Sequence, residues 1–378
     1  MGNTTSVIKL LADLVAIDSQ SQVSNEKIID LLASWFKAYD CTLTSWTRPS
    51  DGLKGQNLLV KIPGESSKQS IVFVCHMDTV PTSAAWETNP FILEEQEGKL
   101  YGLGACDTKG GVAALLAAVF ALKNKPAYDT YILFDGDEEV GSVGARMFLK
   151  KGHLPNAHYI FLEPTDGELC IAQRALMKFD ITTHGIAMHS SQATPENNIK
   201  ANAIFKMSHI LEILRHDAKT IASETHEHLR MTTQNFGTIT GGTARNVSAD
   251  QATLVMERRL LPHIDPYKEF DRLKRMIIDT VPGTTVVIDE IEPGFATPAD
   301  RPFIKNVFSL TKSVIPDYKI GAFQAWSEAG LFASLGDVTV LGPGSLIHQA
   351  HRANEFVEVQ ELFQFVEVLG KILTEITV

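Results

Sequence analysis

The run Tyr101-Gly-Leu-Gly-Ala-Cys-Asp107-Thr-Lys-Gly-Gly111 opens a stretch that closes at Phe134-Asp-Gly-Asp-Glu138-Glu139. Its first part reads as a strand or turn. Residues 108–122 are rich in Ala and Leu and read as a helix, and residues 130–135 (TYILFD) form a short apolar run typical of a buried strand. Strand, helix and strand in that order predict an α/β sheet, and ligands of an open α/β sheet bind at the C-terminal ends of its strands. Here that end delivers Asp137, Glu138 and Glu139. The pair Gly110-Gly111, near the helix start, predicts close approach of the backbone to another element.

Working outward, two more apolar runs end in the same way. Residues 71–75 lead into His76-Met-Asp78, and residues 158–162 lead into Glu163. Three strand ends therefore each offer a carboxylate or an imidazole, and Asp107 heads the helix between two of them. Two-metal hydrolysis needs hard or borderline ligands, one carboxylate able to bridge ions about 3.5 Å apart, and an open coordination position for water. His76, Asp107, Glu139, Glu163 and a late histidine make such a set.

Length and composition bound the rest. A chain of 378 residues suggests two domains. Its 44% hydrophobic and 21% charged content is that of a globular protein in water. A net charge of −11 argues against a nucleic-acid partner, which would need a basic face. No run of about 18 apolar residues occurs, so no membrane span is expected, and the start of the chain lacks the pattern of a signal peptide. The four cysteines, at 41, 75, 106 and 170, form no CxxC pair. They are no disulfide framework, and they fit a reducing, cytoplasmic setting. Cys75 and Cys106 adjoin His76 and Asp107, but small apolar filling at a buried strand end explains them better than ligation does.

Helical spacing is also present over residues 5–16 and 25–38, and residues 56–62 read as a strand. From about residue 176 the texture changes. Residues 178–183, 234–240 and 252–260 alternate as half-exposed strands, and 199–215 and 266–280 are amphipathic helices. This is an α+β pattern, and 177–290 reads as an inserted domain. After residue 293 the α/β texture returns, with helices near 301–313 and 359–374 and strands at 319–323 and 338–341. Residues 1–176 and 291–378 together make the catalytic, metal-binding domain.

The motifs His76-Met-Asp78-Thr-Val-Pro81, Gly102-Leu-Gly-Ala-Cys-Asp107-Thr-Lys-Gly-Gly111, Asp137-Glu-Glu139-Val-Gly141, Glu163-Pro-Thr165 and His351-Arg-Ala-Asn-Glu355 run in one order along the chain. Together they resemble the acetylornithine deacetylase, succinyl-diaminopimelate desuccinylase, carboxypeptidase G and aminoacylase family of dizinc hydrolases. Leu341-Gly-Pro-Gly-Ser345 with Gln349-Ala-His351, Tyr101-Gly-Leu-Gly, and Gly185-Ile-Ala-Met-His189-Ser-Ser191 resemble the acetylornithine deacetylase branch most. The resemblance implies a zinc-peptidase-like catalytic domain, a mixed sheet flanked by helices. It also implies that the inserted α+β domain is ferredoxin-like and serves as a lid and dimerisation module. Two zinc ions are implied, with cobalt able to substitute: His76 and Glu163 would hold one, Glu139 and His351 the other, and Asp107 would bridge. Asp78 would hydrogen-bond the second nitrogen of His76, and Glu138 would be the general base.

By the same resemblance His189 would stabilise the tetrahedral oxyanion, in its own chain or in a partner subunit of a homodimer. Taken alone, a histidine there is more often structural or merely exposed. Arg259, in Glu257-Arg-Arg-Leu-Leu-Pro262, and Asn246 match substrate-binding positions. A guanidinium suits a substrate carboxylate, while a salt bridge of Arg259 with Glu257 is an equal alternative, and Arg258 points to the other face of its strand. The expected activity is hydrolysis of a small N-acyl amino acid, foremost N2-acetyl-L-ornithine to L-ornithine and acetate, in arginine biosynthesis. Rival substrates are N-succinyl-diaminopimelate, N-acetyl-citrulline, N-acetyl-lysine and dipeptides. A catalytically silent binding homologue is the rival of another class, and the retained pair Glu138-Glu139 speaks against it. Gly344-Ser345 lacks the G-x-S-x-G setting of a serine hydrolase.

Overall fold

The computed structural model describes residues 2–151, 154 and 156–377. The chain forms two compact units. One comprises Met1–Ile171, Ala296–Phe323 and Ser327–Val378; the other comprises Ala172–Phe295 with Gln324–Trp326. The inserted unit, expected over 177–290, thus begins and ends about five residues further out and takes in a short later segment.

In the larger unit the central strands lie in the order Asp40–Thr47, Lys54–Ile62, Tyr128–Asp135, Ser66–His76, Ala157–Phe161 and Val338–Val340. The last four run parallel to one another, and the first two are antiparallel additions at one edge, so the sheet is mixed. The parallel strands are apolar nearly throughout, because helices cover both faces of such a sheet. Lys109–Phe120 is buried from Lys109 to Val119 and, after that first lysine, correspondingly apolar on every side. It packs with Val7, Leu11 and Leu14 of Gly2–Val15 and with Leu362, Phe365, Leu369 and Ile372 of Val359–Glu375 in one core. A Cβ on Gly110 would run into the carbonyl oxygen of Ala105 in the turn just ahead of the same helix, while one on Gly111 would lie 3.3 Å from Leu162 Cβ, past the end of Ala157–Phe161, so the tighter approach of the glycine pair is local rather than to another element. Among the described residues no helix is long and apolar enough to cross a membrane.

The inserted unit is a four-stranded antiparallel sheet in the order Thr233–Gly241, Gln251–Leu260, Ala175–His184, Thr285–Glu292. The helices Ala203–Ile221 and Pro266–Thr280 pack on one face, through Met207, Ile210, Leu214, Phe270, Leu273 and Ile277. Chain order and strand order are those of a ferredoxin-like β-α-β-β-α-β unit. The single helix expected over 199–215 is two, Pro195–Ala201 and Ala203–Ile221. Asn202 separates them: its backbone is extended, and its side-chain oxygen accepts the N–H groups of Ile204 and Phe205 as a cap.

Candidate metal centre

Each strand end named above delivers its side chain. His76 is the last residue of Ser66–His76 and pairs with Asp135 at the end of the parallel neighbour, after which Glu138 and Glu139 follow. Glu163 follows Ala157–Phe161, and Asp107 lies in the turn ahead of Lys109–Phe120. His351 sits with positive φ (54°) between the strands Val338–Val340 and Phe356–Glu358.

These residues form two groups that share Asp107: His76, Asp107 and Glu163, and Asp107, Glu139 and His351. His76 Nε2 lies 3.2 Å from Asp107 Oδ1 and 3.6 Å from Glu163 Oε2. His351 Nε2 lies 3.0 Å from Asp107 Oδ2 and 3.1 Å from Glu139 Oε1. Each oxygen of Asp107 therefore faces a different histidine, as a bridging carboxylate must. Tetrahedral zinc with bonds of about 2.0–2.2 Å sets its ligand atoms roughly 3.3–3.6 Å apart; the spacings here run from 3.0 to 3.6 Å, within a few tenths of an ångström of that, and the imidazole and carboxylate donors are of the kind such cations take. His76, Asp107 and Glu163 are buried, while the His351 side chain is 46% exposed, so the second group opens to solvent.

The electrostatics fit the same group. Burial pushes Glu163 up to about 7 and Glu138 well above the usual carboxylate range, and it raises Glu139 as well. Burial also works against a charged Asp107, but the hydrogen bonds from His351 and His76 outweigh it and hold this carboxyl low. His351 is pushed up to about 11 by its bonds to Asp107 and Glu139. Burial opposes a proton on His76, yet Glu163, Asp107 and Asp78 together raise it. The two imidazolium charges thus stand where a pair of dications would neutralise the same carboxylates.

Asp78 meets His76 chiefly with its main chain. Nδ1 of His76 is 3.0 Å from the Asp78 carbonyl oxygen and 3.8 Å from Oδ1. The Asp78 carboxylate instead accepts the main-chain N–H groups of Glu138 and Glu139, at 3.2 Å each. This refines the expected pairing, because one residue orients the imidazole with its carbonyl and the Glu138-Glu139 turn with its side chain.

Other residues support the group in ways that neither motif nor spacing announces. Glu355 is buried and accepts the N–H groups of Gly104, Cys106 and Asp107, so the residue four places after His351 shapes the turn that presents Asp107. Buried Lys109 donates to the Ile17 carbonyl and is pushed down to about 8 by burial. Arg48 reaches Asp137 from a separate turn. Asp135 and Glu328 are buried acids raised by burial first, and Asp135 raises Glu328 further. Spacing along the chain could not have found these residues; only the final "Asn-Glu" of the His351 motif hinted at Glu355. Cys75 and Cys106 are buried free thiols.

In the inserted unit His189 and Asn246, far apart in sequence, come together. Ser190 N–H donates to the Asn246 carbonyl at 3.0 Å, and His189 bridges Val247. His189 Nδ1 accepts the Ser191 N–H at 3.2 Å, so in the neutral ring the proton sits on Nε2. Arg259 Nε donates to Glu257 Oε1 at 2.6 Å, which is the salt bridge weighed against a substrate role. Arg258 is fully buried between Asp217 and Glu269 and is excluded from any contact with substrate.

Comparison with known proteins agrees with this geometry. Residues 72–375 match the model of peptidase family M20/M25/M40. The acetylornithine deacetylase of Proteus mirabilis is 30% identical over 368 residues, covering 95% of this chain and 92% of that one. Its counterpart in Pectobacterium carotovorum is 32% identical over 372 residues, covering 95% and 93%. Among solved structures, a Staphylococcus aureus tripeptidase superposes with a TM-score of 0.78 at 20% identity, over 99% of this chain and 98% of that one. A Bacillus subtilis dinuclear metal-binding peptidase of the M20 family does so with a TM-score of 0.69 at 15% identity, over 100% and 99%.

Proposed function

The chain belongs to peptidase family M20/M25/M40 and is a metal-dependent hydrolase, and from that premise we propose that it cleaves the amide bond of an N-acyl amino acid, foremost N2-acetyl-L-ornithine, to release acetate and L-ornithine in arginine biosynthesis. The observation that carries the chemistry is Asp107 shared between two histidine–carboxylate groups with Glu138 at their side. The substrate reading is supported by acetylornithine deacetylases at 30–32% identity over 95% of the chain.

His76 and Glu163 would hold one zinc, Glu139 and His351 the other, and Asp107 would bridge; cobalt could replace zinc. Bound there, the ions supply Lewis-acid polarisation of the amide carbonyl and a water of lowered pKa. Glu138 takes the proton of the attacking water and passes it to the leaving amine. Its burial raises the carboxyl's affinity for a proton, which favours taking one from the water. His189, with its proton on Nε2, donates to the oxyanion. Arg259 and Asn246 bind the substrate's carboxylate end.

We place the protein in the cytoplasm, consistent with four unpaired cysteines, as a homodimer joined through the inserted unit. The edge strand Thr233–Gly241 of that unit, with Phe236 and Ile239 exposed, supports such pairing. The test is a panel of acetyl-ornithine, acetyl-citrulline, acetyl-lysine, succinyl-diaminopimelate and simple dipeptides, each assayed with zinc, with cobalt and after chelation. Highest kcat/KM on acetyl-ornithine, lost on chelation and restored by metal, is expected. A preference for dipeptides or succinyl-diaminopimelate would replace the substrate, and chelator-resistant turnover would overturn the mechanism.

A further inference from the structure

Arg48 lies outside every motif, in the turn that follows the strand Asp40–Thr47, yet it is buried. Nε and Nη2 grip the two oxygens of Asp51, at 3.0 and 2.7 Å, in the forked arrangement a guanidinium favours. That grip turns Nη1 inward, where it donates to the Ser21 carbonyl at 2.9 Å and to Asp137 Oδ1 at 2.8 Å. Ser21 N–H in turn donates to the Thr79 carbonyl, next to Asp78.

Asp137 is the pivot of the turn that carries Glu138 and Glu139. Its φ is 75°, a left-handed conformation that a residue with a side chain keeps only where its surroundings hold it. Its carbonyl accepts the N–H groups of Val140, Gly141 and Ser142, and its Oδ2 accepts that of Val143 at 3.3 Å. The turn is thus held from two sides. Asp78 holds the amides of Glu138 and Glu139, and Arg48 holds the residue before them.

We propose that Arg48 is a positioning residue for the hydrolytic reaction, acting through Asp137 to fix the turn that aims Glu138 and Glu139 into the metal group. The inference rests on the reading of Glu138 as base and Glu139 as ligand. Arg48 itself touches neither substrate nor reacting atoms. The bland alternative is that Arg48 only neutralises a buried carboxylate.

The experiment separates the two. Arg48→Met alone leaves Asp137 buried without a counter-charge and can fail to fold, so the decisive variant is the double Arg48→Met/Asp137→Asn, which removes both charges and keeps the shapes. Cobalt(II) titration and steady-state kinetics are read side by side on the full-length protein. Expected are a fall in kcat of roughly 10–100-fold with KM within about twofold, and a weakening of about tenfold in the cobalt step that involves Glu139. Arg48→Lys should recover part of both effects, since an ammonium reaches Asp137 but cannot fork onto Asp51. A folded double variant with wild-type kcat and both cobalt affinities intact would overturn the proposal and leave Arg48 a counter-charge. Glu138→Ala run in parallel keeps the premises apart. If it retains turnover, the reading of the base has failed, while the cobalt titration still judges Arg48 through Glu139.

Discussion

The main-chain N–H of Glu139 lies 3.2 Å from Oδ2 of Asp78, so the carboxylate that follows the His76 strand orders the proposed ligand after the next strand. Asp78 Oδ1 does the same for Glu138. Asp78→Asn keeps one acceptor oxygen and puts an NH2 group against the other N–H. Because the imidazole of His76 is held by the Asp78 carbonyl, the substitution should spare His76 and loosen Glu138 and Glu139. The expected loss is roughly 10–100-fold in activity or in affinity for the second metal. A cobalt titration with parallel kinetics checks it; wild-type values in both would show that the amide contacts carry no function.

Glu138→Ala removes a carboxylate but leaves its main-chain bond to Asp78 in place, so the neighbouring Glu139, the proposed ligand, should stay where it is. Metal content should therefore remain near wild type while turnover falls by about 10²–10⁴-fold, the range for loss of a general base. Metal analysis of the purified variant decides the matter: loss of both ions would make Glu138 a ligand.

His189→Ala tests the donor role. The ring's Nδ1 is engaged by Ser191, which leaves the Nε2 proton to be offered outward. Removing an oxyanion donor costs about 10²–10³ in kcat, and metal content should not change, since His189 is in neither ligand group. A normal kcat would assign His189 to the structure of its own turn, where its side chain caps the short helix Ser190–Gln192.

The contrast between proposed ligands and supports explains what could be read from the chain beforehand. His76, Glu139 and Glu163 follow continuous apolar strands, and Asp107 precedes a helix apolar on every face, so periodicity alone carries each to the same sheet end. The strand Asp40–Thr47 gave no such sign, because it lies at the sheet edge with only Trp46 buried and so carries a mostly polar sequence. Thr285–Glu292 was missed for a related reason, as an edge strand half open to solvent, whereas Glu168–Gln173 is buried and no shorter than Ala157–Phe161, so neither exposure nor length accounts for it. Arg48, and the bonding role of Glu355 though that residue closes the His351 motif, were hidden for a different reason. Their bonds join residues 89 and 248 positions apart, and no local pattern encodes a single hydrogen bond across that distance.

Adjacent arginines on one strand give the last prediction, because side chains alternate across a sheet. Arg258 points to the helix-covered face, where Nη1 meets Glu269 at 2.7 Å and Nη2 meets Asp217 at 2.8 Å. Arg272, partly exposed, bridges the same two acids. Arg258→Met would leave Asp217 and Glu269 buried with that one half-open partner, and breaking a buried pair from one side costs about 3–5 kcal/mol. Arg259 lies on the other face, 28% exposed in its side chain, and pairs with Glu257, so Arg259→Met should cost no more than about 1 kcal/mol. Urea unfolding should therefore separate the two variants, and kinetics should separate them in the opposite sense. Folded Arg258→Met should keep its KM, whereas Arg259→Met should raise KM if its guanidinium binds the substrate carboxylate. An unchanged KM in Arg259→Met would reduce that residue to its salt bridge with Glu257.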